Sequence, residues 1–122
     1  MAKYIPDAAF DAALDYIAEA DEYHICAGQP DDYADVTNHT LGNVSIDSGD
    51  FTKADGDISG RKLIVGAQTI TPDGNGDVDH IVLVKTGDTT IRAITTVVLR
   101  TVAIGSDEDL GAFDILELRD PS

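Results

Sequence analysis

Residues 79–99 read Asp79-His80-Ile81-Val82-Leu83-Val84-Lys85-Thr86-Gly87-Asp88-Thr89-Thr90-Ile91-Arg92-Ala93-Ile94-Thr95-Thr96-Val97-Val98-Leu99. Two runs rich in β-branched and aliphatic residues, 79–85 and 90–99, are parted by Thr86-Gly87-Asp88, a cluster of turn formers. This is the pattern of two strands joined by a tight turn. It continues outward on both sides, with strands predicted over Lys62 to Thr71, Arg100 to Ile104 and Ala112 to Leu118. The breaks fall at Pro72-Asp73-Gly74-Asn75-Gly76-Asp77 and at Gly105-Ser106-Asp107-Glu108-Asp109. No segment after Gly28 supplies a crossover helix, so the pattern predicts a mainly β protein, an antiparallel sandwich or small barrel.

Upstream of this block the periodicity changes. Phe10, Ala13, Leu14, Ile17 and Ala18 recur at three- and four-residue spacing, with Asp11, Asp15 and Glu19 at i,i+4 intervals on another face. One N-terminal amphipathic helix over residues 6–20 is expected, with Pro6 and Asp7 suited to its first turn. Asp21-Glu22 oppose the dipole at its far end. Tyr23 to Ala27 reads as a strand, Asp31 to Asp35 as an acidic loop or single helical turn, and Asn43 to Asp47 as a short strand. Gly49 to Asp57 reads as a polar loop pinned by Phe51. The expectation is a single domain, 1–122: helix 6–20, a loop-rich region 23–60 with short strands, and an antiparallel β core 61–118.

A chain of 122 residues and 12.9 kDa with 43% hydrophobic residues suffices to close one core. Of its 23 acidic residues 19 are Asp and four are Glu, a skew towards turns and caps that suits short strands better than helices. Eight Lys+Arg leave a formal net charge of −15, which opposes any polyanionic partner. Free-standing DNA or RNA binding is not expected. No apolar run reaches the roughly 18 residues of a membrane span, and the start Met1-Ala2-Lys3-Tyr4-Ile5-Pro6 lacks the apolar segment of a secretory signal. The expectation is a soluble chain with no membrane partner, and with Cys26 alone no internal disulfide.

Motifs with chemistry are few. Asp73-Gly74-Asn75-Gly76-Asp77 has the D-x-N-x-D spacing of a calcium loop, which makes Asp73, Asn75 and Asp77 the calcium candidates, with Asp79 or Asp88 as further contributors. Val78 then stands where an EF-hand needs Gly and Val84 where it needs a bidentate Glu, so a turn-rich hairpin explains the stretch better. His24 and Cys26 share a strand face, with His39 and His80 elsewhere, but their spacing matches no common zinc pattern and favours core packing. Cys26 lacks an oriented base and a third group for nucleophilic catalysis. No phosphate-binding loop, dinucleotide fingerprint, nucleophile elbow or zincin motif occurs. No enzyme and no cofactor are expected.

The opening residues Met1 to Leu14, the central Gly56-Asp57-Ile58-Ser59-Gly60-Arg61-Lys62-Leu63, the later His80-Ile81-Val82-Leu83-Val84, and the closing Ala112-Phe113-Asp114-Ile115 with Asp120-Pro121-Ser122 together resemble a family of small virion structural proteins of tailed bacteriophages. The resemblance runs the length of the chain on packing and turn motifs, and this chain departs from it in acidity and in its Asp-rich stretch from Asp31 to Asp57. It implies a non-enzymatic particle component made in the host cytoplasm. Packed DNA would repel so acidic a chain, which favours the outer capsid surface. The leading expectation is a capsid decoration or cement protein, a small homo-oligomer bound to the major capsid protein. A tail, neck or fibre-base component is the alternative; a free-standing β ligand-binding module, calcium-assisted, is the second. Candidate partner contacts are Tyr4, Ile5 and Phe10 in the N-terminal arm and helix, and the scarce cations Arg61, Lys62, Arg92 and Arg100. Equally, Ile5 and Phe10 are suited to close the domain's own core, and the cations to offset neighbouring Asp.

Overall fold

A computed structural model describes residues 4–121; Met1, Ala2 and Lys3 of the opening motif and Ser122 of the closing one lie outside them. Helix α1 (Asp7–Ile17) is followed by strand β1 (Glu22–Cys26), a single turn α2 (Val36–His39), β2 (Thr40–Ser45), a 3₁₀ turn (Ser48–Asp50) and β3 (Phe51–Asp55). Then come β4 (Arg61–Val65), β5 (Gln68–Ile70), β6 (Gly76–Lys85), β7 (Thr90–Val102), β8 (Glu108–Leu110) and β9 (Phe113–Leu118). The strands form three sheets of order β2-β1-β6-β7, β3-β4-β9 and β5-β8, and every pairing is antiparallel.

One apolar cluster joins the three sheets and the helix. Tyr23 and Ile25 of β1 with Ile81 and Leu83 of β6 meet Leu63 and Val65 of β4, Ile70 of β5, Leu110 of β8, and Leu14 and Ile17 of α1. Residues two apart on a strand share a face, so these odd-numbered positions turn one side of the four-stranded sheet inward. The fold is therefore mainly β and sandwich-like, with one N-terminal helix. A second cluster, Cys26, Val36, Val82 and Val84, lies on the opposite side of that sheet, where Tyr33, Ile91 and Ile94 pack against it.

Several boundaries differ from the sequence expectation. The helix ends at Ile17, not Ala20: the Glu19 and Ala20 N–H groups donate three residues back, to the Tyr16 and Ile17 carbonyls, and the Asp21 N–H donates to the Val84 carbonyl. Asp21 thereby joins the sheet, and its carboxylate accepts from the N–H and hydroxyl of Thr86 at 2.9 and 2.7 Å. Pro6 stands just outside the helix as its cap, and Ala13 is exposed.

The polar loop expected over Gly49 to Asp57 contains strand β3. Its Lys53 reaches Asp15 of α1 at 2.7 Å, while Phe51 packs on the main core, so a charged strand is held by the helix above it as well as by β4. Lys62 to Thr71 divides into β4 and β5, which belong to different sheets. The switch comes at Gly66, whose N–H donates to the Asp50 carbonyl at 2.7 Å, beside a bond from Gln68 to the Asp50 carboxylate. The strands expected over Thr90 to Leu99 and Arg100 to Ile104 are one, β7, and the expected break at 105–109 contains the start of β8. β1, assigned to the loop-rich region 23–60, lies inside the four-stranded sheet between β2 and β6, so the β core does not begin at residue 61.

Candidate functional site

Two of the three calcium candidates are engaged with the chain's own groups. Asn75 Oδ1 accepts the Ile104 N–H at 2.9 Å and Asp77 Oδ1 accepts the Thr101 hydroxyl at 2.7 Å, so two of the three side chains fasten this loop to the end of β7 and the turn after it. Among the described residues no group of three His, Cys, Asp or Glu side chains is placed to hold a metal ion.

The histidines and the cysteine are likewise separate. His24 is buried and bridges the Thr40 hydroxyl and the Glu22 carboxylate at 2.9 and 2.7 Å. His80 lies 2.7 Å from the Asp79 carboxylate, and Asp79 also accepts the Gly28 N–H at 2.7 Å. These two bonds, His80 first, hold the Asp79 carboxyl below its usual range. His39 Nδ1 lies 2.7 Å from the Ala27 carbonyl and Nε2 3.1 Å from the Asp35 carboxylate. Neither partner can donate, so both ring nitrogens must, and the arrangement favours the imidazolium. Burial pushes the Cys26 thiol up to about 12, with Asp79 adding to the effect, which leaves it protonated and a packing residue.

The candidate cations are engaged within the chain. Arg61 donates to Asp11 of α1 at 2.9 Å and to Asp55 at 2.7 Å, whereas Lys62, facing the other way, reaches Asp57 and Asp114. Arg92 has a side chain only 2% exposed; its guanidinium donates to the Tyr16 carbonyl, Glu19 and Asp88, each at 2.7 Å. Arg100, on the exposed part of β7, donates to Glu108 at 3.3 Å and to the Asp109 carbonyl at 2.9 Å. Of the N-terminal candidates Phe10 is buried in the chain's own interior, which corrects its nomination as a free contact residue. Ile5 is half-buried with its N–H on the Asp120 carboxylate at 3.1 Å, and Tyr4 is exposed.

What the sequence reading passed over is a stretch that brings no carboxylate of its own. From Thr89 to Ser106 the chain contains neither Asp nor Glu, and this run includes all of β7, an edge strand. On it Val98 and Leu99 are exposed. Beside them a groove of about 440 Å³ is lined by Val97, Val98, Leu110, Ala112 and Phe113 among others, none of them acidic. The absence of acid was visible by counting; that the run is an edge beside a groove was not.

No helix among the described residues is long and apolar enough to cross a membrane. Compared with protein-family models, curated proteins and solved structures, the chain matches none.

Proposed function

We propose that this protein is a non-enzymatic structural component of a tailed-phage virion, a decoration or cement protein on the outer face of the major capsid protein lattice. The resemblance of its opening, central and closing motifs supports the virion reading. The observation that carries the outer position is the disposition of charge. Six of the eight Lys and Arg residues, namely Lys53, Arg61, Lys62, Arg92, Arg100 and Arg119, are paired with the chain's own carboxylates. A polyanion approaching the surface therefore meets a net charge of −15 with few cations left to receive it. Within a Debye length of about 8 Å of packaged DNA that repulsion is unscreened, whereas an outward position faces water and mobile counterions.

The test adds purified protein to particles lacking it and counts bound copies by quantitative mass spectrometry, with a cryo-EM map to locate them. A copy number that scales with the capsid lattice, and density on the outer face, is expected. A handful of copies per particle, or density at the tail or neck, overturns the decoration reading.

A further inference from the structure

Midway along the edge strand β7 the pairing with β6 shifts: Val78 stands opposite Arg100 and His80 opposite Thr96, so Val97, Val98 and Leu99 together face the single Asp79. Extra residues bend a strand out of the sheet. Here they raise an apolar knuckle, with Val98 92% exposed and Leu99 63%. The groove of about 440 Å³ that Val97 and Val98 share with Leu110 and Phe113 lies directly beside it. We infer that two copies of this protein pair across a two-fold axis through this face, the knuckle of each seated in the groove of the other.

A protrusion and a recess on one face are what an isologous contact needs, because each copy then supplies both halves. Charge selects the occupant. Two chains of net charge −15 repel across surfaces that carry carboxylates, but the run from Thr89 to Ser106 brings none to the contact. Arg100, the cation on this face, is already neutralised by Glu108 and the Asp109 carbonyl, so two copies of it do not repel and an acidic partner finds no free cation. A basic partner finds Glu108 already taken by Arg100, and the groove lining itself contains no carboxylate. The surface fits a neutral, apolar counterpart, and its own second copy is one. A two-fold axis perpendicular to β7 sets its two copies antiparallel, so the β7 edges on either side of the bulge are then oriented to extend the four-stranded sheet.

Sedimentation equilibrium of the full chain tests this in free solution, apart from any particle, so its outcome is distinct from that of capsid binding. A monomer–dimer equilibrium is expected that tightens about tenfold or more between ~0.05 and ~0.5 M NaCl, as screening removes the long-range repulsion between copies. Val98→Asp and Leu99→Asp are each expected to weaken the dimer about tenfold or more, with circular dichroism unchanged and melting unchanged at concentrations where the wild type is monomeric, because both side chains are exposed in the single chain. Ile58→Asp, at a position 75% exposed in the turn between β3 and β4, is expected to leave the dimer intact. A chain that stays monomeric at ~0.1 mM in ~0.5 M salt overturns the inference, as does a dimer that survives both β7 substitutions or one that Ile58→Asp also disrupts.

Discussion

The guanidinium of Arg92 lies over the ring of Tyr16, its central carbon 3.8 Å from the ring centroid. The same group donates to the Tyr16 carbonyl and to two carboxylates, so one side chain of β7 closes the C-terminal end of α1. A cation at that end also offsets the helix dipole, which Glu19 and Asp21 would otherwise oppose.

Arg92→Met keeps most of the apolar stem and removes the donors. The Tyr16 carbonyl keeps only the long bond from the Glu19 N–H and Thr90 loses the Arg92 donor, while Glu19 and Asp88, more than half exposed, rehydrate. The expected loss is about 2–4 kcal/mol, and Arg92→Lys, which keeps charge without the planar fork, should recover only part of it. Urea unfolding of the three proteins measures this, with a lowered midpoint and an unchanged slope.

Tyr23 presents the opposite case. Its hydroxyl is buried with no hydrogen-bond partner among the described residues, and burial raises its pKa to about 12 although the charge of Arg100 pulls the other way. A buried donor without a partner costs about 1–3 kcal/mol. Tyr23→Phe is therefore expected to be neutral or to stabilise by about 1 kcal/mol in the same denaturation assay. A clear loss would reveal a partner for the hydroxyl.

His39 gives the fold a pH dependence whose sign is fixed by its partners. The Ala27 carbonyl first, and then Asp35, raise its pKa above the ordinary histidine value. Stability from the charged ring is fully present below the unfolded-state pKa of about 6.5 and is lost as pH rises through the folded value. An NMR titration should place the His39 midpoint above about 6.5. Amide protection of α2 and the preceding acidic loop should fall as pH passes it. His39→Gln should abolish that dependence.

Two glycines with positive φ should respond differently to alanine. Gly60, at φ +70, has the Leu118 carbonyl where a Cβ would go, so Gly60→Ala must move β9 as well as strain the turn. Gly105, at φ +80, has open space around it. About 1–2 kcal/mol is expected for Gly105→Ala from backbone strain alone. The Gly60 variant should lose substantially more in thermal or urea unfolding.

The strands were legible where apolar residues alternate or run together, as in β6 and β7, and the helix was legible from Phe10, Leu14 and Ile17. β3 and β8 were not, because Lys53, Asp55, Glu108 and Asp109 carry a loop's composition and become strands only through pairing with β4 and β5. Arg100 suggested a break because nothing in its neighbours announces a bulge. The cations were visible as scarce residues. Their commitment to Asp11, Asp114 and Glu19 depends on contacts between distant segments, such as Arg61 with Asp11, that periodicity does not encode.

The place of β1 bears on how the chain acquires its shape. This strand, early in sequence, rests between β2 and β6, and Tyr23 pairs with Leu83 across a long intervening loop. Closing such a loop costs chain entropy before any of the contact is gained, which puts folding on the slow side of its size class, in the millisecond-to-second range. Until β6 emerges from the ribosome, β1 lacks its neighbour in the sheet, and Tyr23 and Ile25 lack Ile81 and Leu83 beside them. The carboxylates on either side of them, Asp21-Glu22 and Asp31-Asp32, flank an adhesive segment during that interval and keep nascent chains apart.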